Sequence, residues 1–256
     1  MVAGDLAGPE YWSRRWAGWS GSGLTRPGWH GLLARHLPRD RTWRCLELGC
    51  VPGRFLVYLH REFGYRPAGL DYSGRIGLAE ATLRRAGIEH FELHACDLFE
   101  FRPAQAYDVV CSFGLVEHFR DSQAVVRRHV ELVRPGGYVV IEVPNFTHVQ
   151  YFLRQLLEPV SLRRHQREVM NPAVLGGQLR RCGTKLLYAG MWGTFDLRLS
   201  GAGGLWRYYV ARGANLAVER LRGWLERCGL GNCPTRLLSP VVLAIARRVQ
   251  APGGRL

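Results

Sequence analysis

Residues 44–53 read RCLELGCVPG, and this stretch decides the fold. Arg44–Leu48 is a short apolar run, typical of a buried strand, and the glycines after it end the strand in a tight turn. The apolar residues of Arg54–Phe63 recur with helical spacing, so the turn leads directly into a helix. A turn with so little side-chain bulk lets backbone amides approach a ligand at the carboxyl edge of a sheet.

The alternation of strand and helix continues along the chain. We predict strands at residues 67–71, 90–95, 107–113 and 138–143, with helices at 74–86, capped by Ser73, and 117–133. Such alternation is typical of parallel strands joined by helical crossovers. Because residues 107–113 are apolar on both faces of the strand, they fit a sheet covered by helices on each side. We therefore predict an α/β fold with a doubly wound, mostly parallel sheet.

The rest of the chain is predicted to be a lead-in and a helical cap. Residues 1–42 form the lead-in, with a glycine-rich turn at 21–23 and a helix at 29–36. Residues 43–256 form one domain with helical cap insertions near 147–170 and 200–236. The later predicted elements are helices at 148–168, 171–181 and 205–228, a glycine hinge at 201–204, and strands at 185–190 and 240–247.

The charge of the chain is uneven. The 256 residues carry a formal net charge of +14, and Lys185 is the only lysine among 35 basic residues. A GC-rich coding bias explains that preference for arginine without a functional demand. Residues 1–143 hold 18 basic and 16 acidic side chains, whereas residues 144–256 hold 17 basic and 5 acidic ones. Because a positive surface attracts anions, an anionic acceptor and a polyanion such as RNA are both alternatives.

No segment of the sequence predicts a membrane-bound or secreted protein. The longest apolar runs, such as residues 241–246, are far too short to cross a bilayer, and the polar N-terminus lacks the layout of a signal peptide. The seven cysteines are scattered without a CxxC pair, so neither a disulfide framework nor a cysteine metal site is expected. We expect a cytoplasmic protein with no membrane partner.

Two carboxylates follow predicted strands at the edge where a ligand would bind. Asp71 ends the second strand, about 20 residues after the glycine turn, where an acid can accept both hydroxyls of a ribose. Asp97 follows the third strand, where a carboxylate can accept the amino group of an adenine. The plainer alternative for Asp71 is that it stabilises the N-terminus of the next helix.

Five segments together resemble the successive motifs of class I S-adenosylmethionine-dependent methyltransferases. They are ELGCVPG at 47–53, GLDYS at 69–73, HACDLFEF at 94–101, YDVVCSFGLVEHF at 107–119 and VRPGGYVVIEVPNF at 133–146. The resemblance implies a Rossmann-like fold with a seven-stranded sheet, whose last strand, here at 240–247, enters antiparallel. It also implies S-adenosylmethionine as the cofactor and S-adenosylhomocysteine as the product.

The resemblance further implies which residues hold this cofactor. Grouped by the part that they would contact, they are Glu47, Gly49 and Gly53 for the methionine part, Asp71 and Tyr72 for the ribose, Asp97 and Leu98 for the adenine, Ser112 and Phe113 for the wall near the methionine part, and Tyr11 in a lead-in that some members fold over the cofactor.

Two departures from the family pattern bear on the chemistry. Val51 replaces the usual middle glycine of the first motif, and because a β-branched residue disfavours positive φ, this turn must take a conformation that valine tolerates. Ubiquinone-type O-methyltransferases, which the chain resembles around Glu117 and His118, carry a further glutamate as a metal ligand where this chain has Gly114. We therefore expect no metal site.

His118 is the predicted catalytic residue. A base is needed if the acceptor is a hydroxyl or a protonated amine, and His118, with an ordinary pKa of about 6.5, follows the fourth strand beside the cofactor edge. The alternatives are that His118 only packs within its helix, or that His148 or His165 in the insertion acts instead.

The predicted function is methyl transfer from S-adenosylmethionine to the O or N atom of a small molecule or short peptide. Natural-product tailoring is the expected setting, because large helical caps suit such acceptors. RNA or another polyanion is the alternative that the charge raises, although no RNA-binding segment is recognisable. A nicotinamide oxidoreductase would use G-x-G-x-x-G where this chain has G-x-x-x-G, and a non-catalytic S-adenosylmethionine-binding protein is left open by Val51. The sequence leaves the oligomeric state open.

Overall fold

The computed structural model describes residues 4–19, 25–197, 199, 205–230 and 232–250. The strands are β1 (Arg44–Leu48), β2 (Arg66–Leu70), β3 (Glu92–His94), β4 (Tyr107–Phe113), β5 (Val133–Pro144), β6 (Thr184–Trp192) and β7 (Val241–Arg248). The helices are α1 (Gly8–Trp16), α2 (His30–His36), α3 (Arg54–Phe63), α4 (Ile76–Arg85), α5 (Ser122–Leu132), α6 (His148–Leu157), α7 (Pro159–Leu162), α8 (Pro172–Arg181) and α9 (Leu205–Arg227). The glycine turn expected at 21–23 and the hinge expected at 201–204 lie outside the described residues.

The seven strands form one sheet in the order β3-β2-β1-β4-β5-β7-β6. The five strands from β3 to β5 run parallel, whereas β7 pairs antiparallel with both β5 and β6. The strand order reverses between β1 and β4, and in such sheets the carboxyl ends beside this switch point form a crevice for ligands. The structure confirms the doubly wound, mostly parallel sheet and its antiparallel last strand.

Helices cover both faces of the sheet. On one face, Val110 and Ile141 are fully buried beneath Val125 of α5 and Leu175 of α8. On the other face, Leu33 of α2 joins α3 and the sheet in a second core that contains three stacked aromatic rings. Residues 1–42, which were expected to form a lead-in, therefore supply helix α2 to this second core.

Three predicted helix boundaries are wrong for identifiable reasons. The helix expected at 117–133 divides into a 3₁₀ turn, Val116–His118, and α5, because the Asp121 carboxylate accepts a hydrogen bond from Ala124 N at 3.0 Å and starts a new helix. The helix expected at 148–168 is broken at Pro159, which lacks a backbone donor. Ser73 does not cap α4, because the helix begins only at Ile76 and Arg75 takes the cap position; the buried Ser73 Oγ has no hydrogen-bond partner among the described residues.

Asn171 caps the start of α8. Its side chain accepts a hydrogen bond from Ala173 N at 2.9 Å, and Pro172 occupies the first position of α8. Among the described residues, no helix combines the length and the apolar character needed to cross a bilayer.

Candidate active site

A cavity opens at the carboxyl ends of β1 to β4, beside the switch point of the sheet. Its lining comes from residues 47–52, 54 and 55 around the first turn, 70–72 after β2, 96–98 after β3, 113–115 and 119 after β4, and 5, 12 and 16 from the N-terminal segment. Seven of the ten predicted cofactor residues therefore line one cavity: Glu47, Gly49, Asp71, Tyr72, Asp97, Leu98 and Phe113.

The charged groups of the lining are mostly acidic. Four carboxylates, those of Asp5, Glu47, Asp71 and Asp97, face the cavity together with one guanidinium, that of Arg54. Glu47 is only 2% exposed, and its Oε2 atom has no hydrogen-bond partner among the described residues. Burial raises the pKa of Glu47 well above its ordinary value, and the positive charge of Arg54 opposes this shift. A buried, unpartnered carboxylate oxygen is a place for a ligand group that donates a hydrogen bond.

The turn after β1 is held by backbone hydrogen bonds. Gly49 N and Cys50 N both donate to the carbonyl oxygen of Leu70, at 2.8 and 3.2 Å, and Val51 N donates to Asp71 Oδ2 at 3.3 Å. Gly49 takes a positive φ of 73°, whereas Val51 does not take a positive φ. The expectation that the turn adopts a conformation valine tolerates is therefore confirmed.

Backbone N–H groups also fix the two predicted acids. Asp71 Oδ1 accepts from Ser73 N at 2.8 Å, and Asp97 Oδ1 accepts from Phe99 N at 2.7 Å. Asp71 thus stabilises the bend before α4 and also lines the cavity. The hydrogen bonds hold each carboxylate in one orientation at the edge of the sheet.

The N-terminal segment covers the cavity. Leu6 N donates to His118 O at 2.8 Å, and Tyr72 OH donates to Asp5 Oδ2. Burial, and then Asp5, raise the pKa of Tyr72, which therefore stays a neutral donor. This docking places Trp12 and Trp16 of α1 in the cavity wall. Neither Asp5 nor these tryptophans are among the site residues predicted from the sequence, although their closeness to Tyr11 was a usable signal.

Three predicted cofactor residues do not line the cavity. Tyr11 packs edge-on against Trp12, with ring centroids 5.0 Å apart, and the Arg164 guanidinium lies over its ring. Ser112 is fully buried with its Oγ 2.9 Å from His129 Nε2, because successive strand residues point to opposite faces and Phe113 takes the cavity side. Gly53 allows close packing against Ala79, because a Cβ at this position would lie 2.9 Å from Ala79 Cα.

His118 is also placed differently from the prediction. It is 4% exposed and does not line the cavity; its Nδ1 lies 2.9 Å from the carbonyl oxygen of Arg164. Burial, more than the nearby positive charges, lowers the pKa of His118 to about 3. A base must be within reach of the proton that it takes, so we do not assign this role to His118. Of the alternatives, His148 is exposed on α6, and His165 lies beside His118 with ring centroids 4.5 Å apart.

The chain was compared with known proteins. Residues 25–187, more than half of the chain, match the family described as methyltransferase domain. The chain belongs to this family. The class I S-adenosylmethionine-dependent methyltransferases that the motifs resemble are thus confirmed as its relatives.

Two curated relatives and one solved structure illustrate the similarity. A probable S-adenosylmethionine-dependent methyltransferase of Mycolicibacterium smegmatis is 29% identical over 55% of this chain and 48% of the relative. The ubiquinone biosynthesis O-methyltransferase of Cronobacter sakazakii is 30% identical over 40% of this chain and 42% of the relative. The match thus spans about half the length of these relatives or less. Phosphoethanolamine N-methyltransferase 2 of Haemonchus contortus, solved with S-adenosylhomocysteine, superposes with a TM-score of 0.59 at 19% identity, over 94% of this chain and 58% of that one.

Proposed function

We propose that this methyltransferase moves a methyl group from S-adenosylmethionine to the O or N atom of a small molecule or short peptide, as a cytoplasmic natural-product tailoring enzyme. The observation that carries the proposal is the cavity at the switch point, with the unpartnered Oε2 of buried Glu47 in its wall. The bound cofactor supplies a methyl group that its sulfonium already activates.

The residues present fit this cofactor. S-adenosylmethionine carries two positive groups and one carboxylate, and the cavity offers four carboxylates and Arg54. We assign Glu47 and Gly49 to its methionine part, Asp71 to its ribose diol, and Asp97 to its adenine amino group. Each carboxylate would accept hydrogen bonds from the ligand, which are stronger than bonds between neutral groups.

The chain's own contribution to the reaction is alignment and exclusion of water. The cavity has an apolar wall formed by Trp12, Phe55, Phe113 and Leu115. The ring centroids of Phe55 and Phe113 lie 4.1 Å apart. Holding two reactants in line can contribute roughly 7–11 kcal/mol to lowering a barrier. No histidine lies among the described lining residues. An amine nitrogen that binds already neutral needs no base and is therefore compatible with this lining.

The cap supports an anionic acceptor as a narrower form of the proposal. Arg212 and Arg220 of α9 and Arg163 after α7 are exposed. A guanidinium binds carboxylates and phosphates through two parallel hydrogen bonds. The O-methyltransferase relative is compatible with oxygen as the acceptor atom, but neither atom type nor charge follows from similarity alone.

Calorimetry on Asp71→Ala tests the cofactor site. Loss of a charge-assisted hydrogen bond worth roughly 1.5–3 kcal/mol should weaken S-adenosylmethionine binding at least tenfold. The control is Asp121→Ala, which removes a helix cap outside the cavity. Unchanged affinity in a folded Asp71→Ala protein would remove Asp71 from the site.

Release of S-adenosylhomocysteine identifies the acceptor. The wild-type enzyme is assayed against separate pools of small hydroxylated and amino compounds, short peptides, and RNA. Product with the first two classes supports the proposal. Product with RNA alone would replace it by the polyanion alternative, and tight cofactor binding with no product in any pool would favour a non-catalytic binding protein.

A further inference from the structure

A second group of functional side chains lies outside the cavity. Glu117 and His118 of the 3₁₀ turn after β4 meet His165, which follows α7 in the insertion. One potential ligand atom from each residue lies within 4.8 Å of the other two, and Glu117 Oε1 is 3.7 Å from His118 Nε2. No residue of this group lines the cavity. The fold thus gathers two imidazoles and a carboxylate from positions almost fifty residues apart.

Hydrogen bonds orient both histidines for metal binding. His118 Nδ1 lies 2.9 Å from the carbonyl oxygen of Arg164, and His165 Nδ1 lies 2.7 Å from that of Ser161. Because a carbonyl oxygen only accepts, each Nδ1 carries the hydrogen and each neutral ring keeps its lone pair on Nε2. Metal-binding histidines in proteins are held in this way, by a second hydrogen bond from the ring nitrogen that does not bind the metal.

One carboxylate oxygen of the group lacks a partner. Glu117 is 1% exposed, and its Oε2 atom has no hydrogen bond to any residue that the structure describes. A buried carboxylate is costly unless it is paired or bound to a metal. The two neighbouring rings offer lone pairs rather than hydrogens, so they do not compensate it.

We propose that Glu117, His118 and His165 bind one divalent transition-metal ion of the zinc type. Two imidazole nitrogens and one carboxylate oxygen form a ligand set that suits Zn²⁺. Tetrahedral binding at about 2.1 Å places ligand atoms about 3.4 Å apart. The 3.7 Å between Glu117 Oε1 and His118 Nε2 must therefore shrink by about 0.3 Å, and no separation within the group, each at most 4.8 Å, must shrink by more than about 1.4 Å.

The site goes beyond the proposed function and does not depend on it. It replaces the sequence-based expectation of no metal, which was based on Gly114 and left out His165. The ion would fasten the insertion that carries His165 to the turn after β4. It would lie close to the cavity wall, because a Cβ on the lining residue Gly114 would be 3.5 Å from Glu117 Oε1, and Trp12 packs edge-on against His118 at 4.7 Å.

Metal binding by the full chain tests the proposal without any acceptor. All proteins carry Cys228→Ser and Cys233→Ser, which remove the two exposed thiols as competing ligands. After treatment with EDTA, each protein is titrated with ZnCl₂ by calorimetry, and with CoCl₂ by visible absorption. His165→Gln and Glu117→Gln remove one ligand each at similar size. His148→Gln, in the same insertion but exposed, is the matched control.

We expect one Zn²⁺ per chain and the intense visible bands of four-coordinate Co²⁺ without a thiolate charge-transfer band. His165→Gln should weaken Zn²⁺ binding by about a hundredfold or more, and His148→Gln should not change it. Absence of stoichiometric Zn²⁺ binding by the parent protein would overturn the proposal. Equal binding by folded His165→Gln would also overturn it, as would the weak pink spectrum of six-coordinate Co²⁺.

Discussion

The two halves of the molecule bury their apolar residues to very different extents. In β4, five of the seven residues are buried, and the strands around it form the two main cores. In α9, only Ala211 and Val218 are buried among 23 residues. Among the described residues, every exposed large hydrophobic side chain lies after residue 148, with Phe152 at 73%, Trp206 at 54% and Trp224 at 53%.

This difference shows which residue positions the sheet fixes and which it does not. Near the switch point, β1 and β4 each pair with two neighbouring strands, which fixes where their ends lie. The cap has no such constraint, because α9 touches the rest of the chain mainly through a small cluster around Leu157 and Leu197. The cofactor-binding part is therefore expected to be rigid, and the part that we associate with the acceptor is expected to open locally.

Hydrogen exchange should show the largest contrast between the two halves. We expect the amides of α9 to exchange at least about a hundredfold faster than those of α5, because segments with few buried apolar contacts open locally at low free-energy cost. The comparison is between two helices, and α5 buries six of its 11 residues. Mass spectrometry of deuterium uptake by peptides from each helix gives the measurement.

The same experiment can contradict the comparison. If α9 exchanges as slowly as α5, its apolar face is covered in solution, and the exposure seen in the single chain does not describe the working protein. Dilution distinguishes the two possible causes of slow exchange. Protection of α9 by a second copy of the chain is lost at low protein concentration, whereas protection by the intrinsic stability of α9 is not.

One substitution made in both halves gives a second, smaller contrast. Gly53→Ala should lower the free energy of unfolding by about 2 kcal/mol, because its φ of 94° suits glycine alone and the new methyl group would meet Ala79. Gly213→Ala on α9 has open space, so helix propensity should stabilise that helix by up to about 1 kcal/mol. Urea denaturation measures the first change, and hydrogen exchange of α9 measures the second.

Gly74→Ala separates strain from collision in that result. Gly74 also has a positive φ, of 72°, but a Cβ there would meet no atom within 4 Å. If Gly53→Ala and Gly74→Ala destabilise the protein equally, the close packing of α3 on α4 contributes nothing measurable, and backbone conformation alone accounts for both.

The strand ends were predictable from sequence because the signal is local. Asp71 and Asp97 each come at the end of a predicted strand or just after it, and parallel strands bring such positions to one edge whatever else the chain does. Ser112 was assigned to the cavity wrongly, although alternation along a strand already requires that Ser112 and Phe113 point to opposite faces.

Other features depend on tertiary contacts that no local pattern encodes. Asp5 reaches the site because the N-terminal segment pairs with Phe119, and His165 reaches His118 because the insertion folds back over the turn after β4. The apolar residues of α9 indicated a helix correctly, but their spacing alone could not show how few of them would be covered.

The smallest expected effect is a difference between acceptor and cofactor in how their binding affinities respond to salt. The carboxylates that we propose as cofactor ligands lie in a cavity, with Glu47 buried, whereas Arg212 and Arg220 of the cap are exposed. From 0.1 M to 1 M ionic strength the screening length falls from about 10 Å to about 3 Å, which weakens exposed charge pairs most. If the acceptor is anionic and meets these arginines, its affinity should fall severalfold, in line with up to about 1 kcal/mol per exposed pair. Cofactor affinity should stay nearly constant.

The arginine variants decide whether the cap is responsible. Arg212→Gln with Arg220→Gln should remove most of the salt dependence of acceptor binding, whereas Arg85→Gln, an exposed arginine at the end of α4, should leave it intact. Calorimetry measures both affinities in the same way, that of the cofactor and that of the acceptor identified in the product assay. Equally weak salt dependence for acceptor and cofactor would mean that the arginines of the cap are an ordinary solvated surface, and the difference between the halves would then concern stability alone.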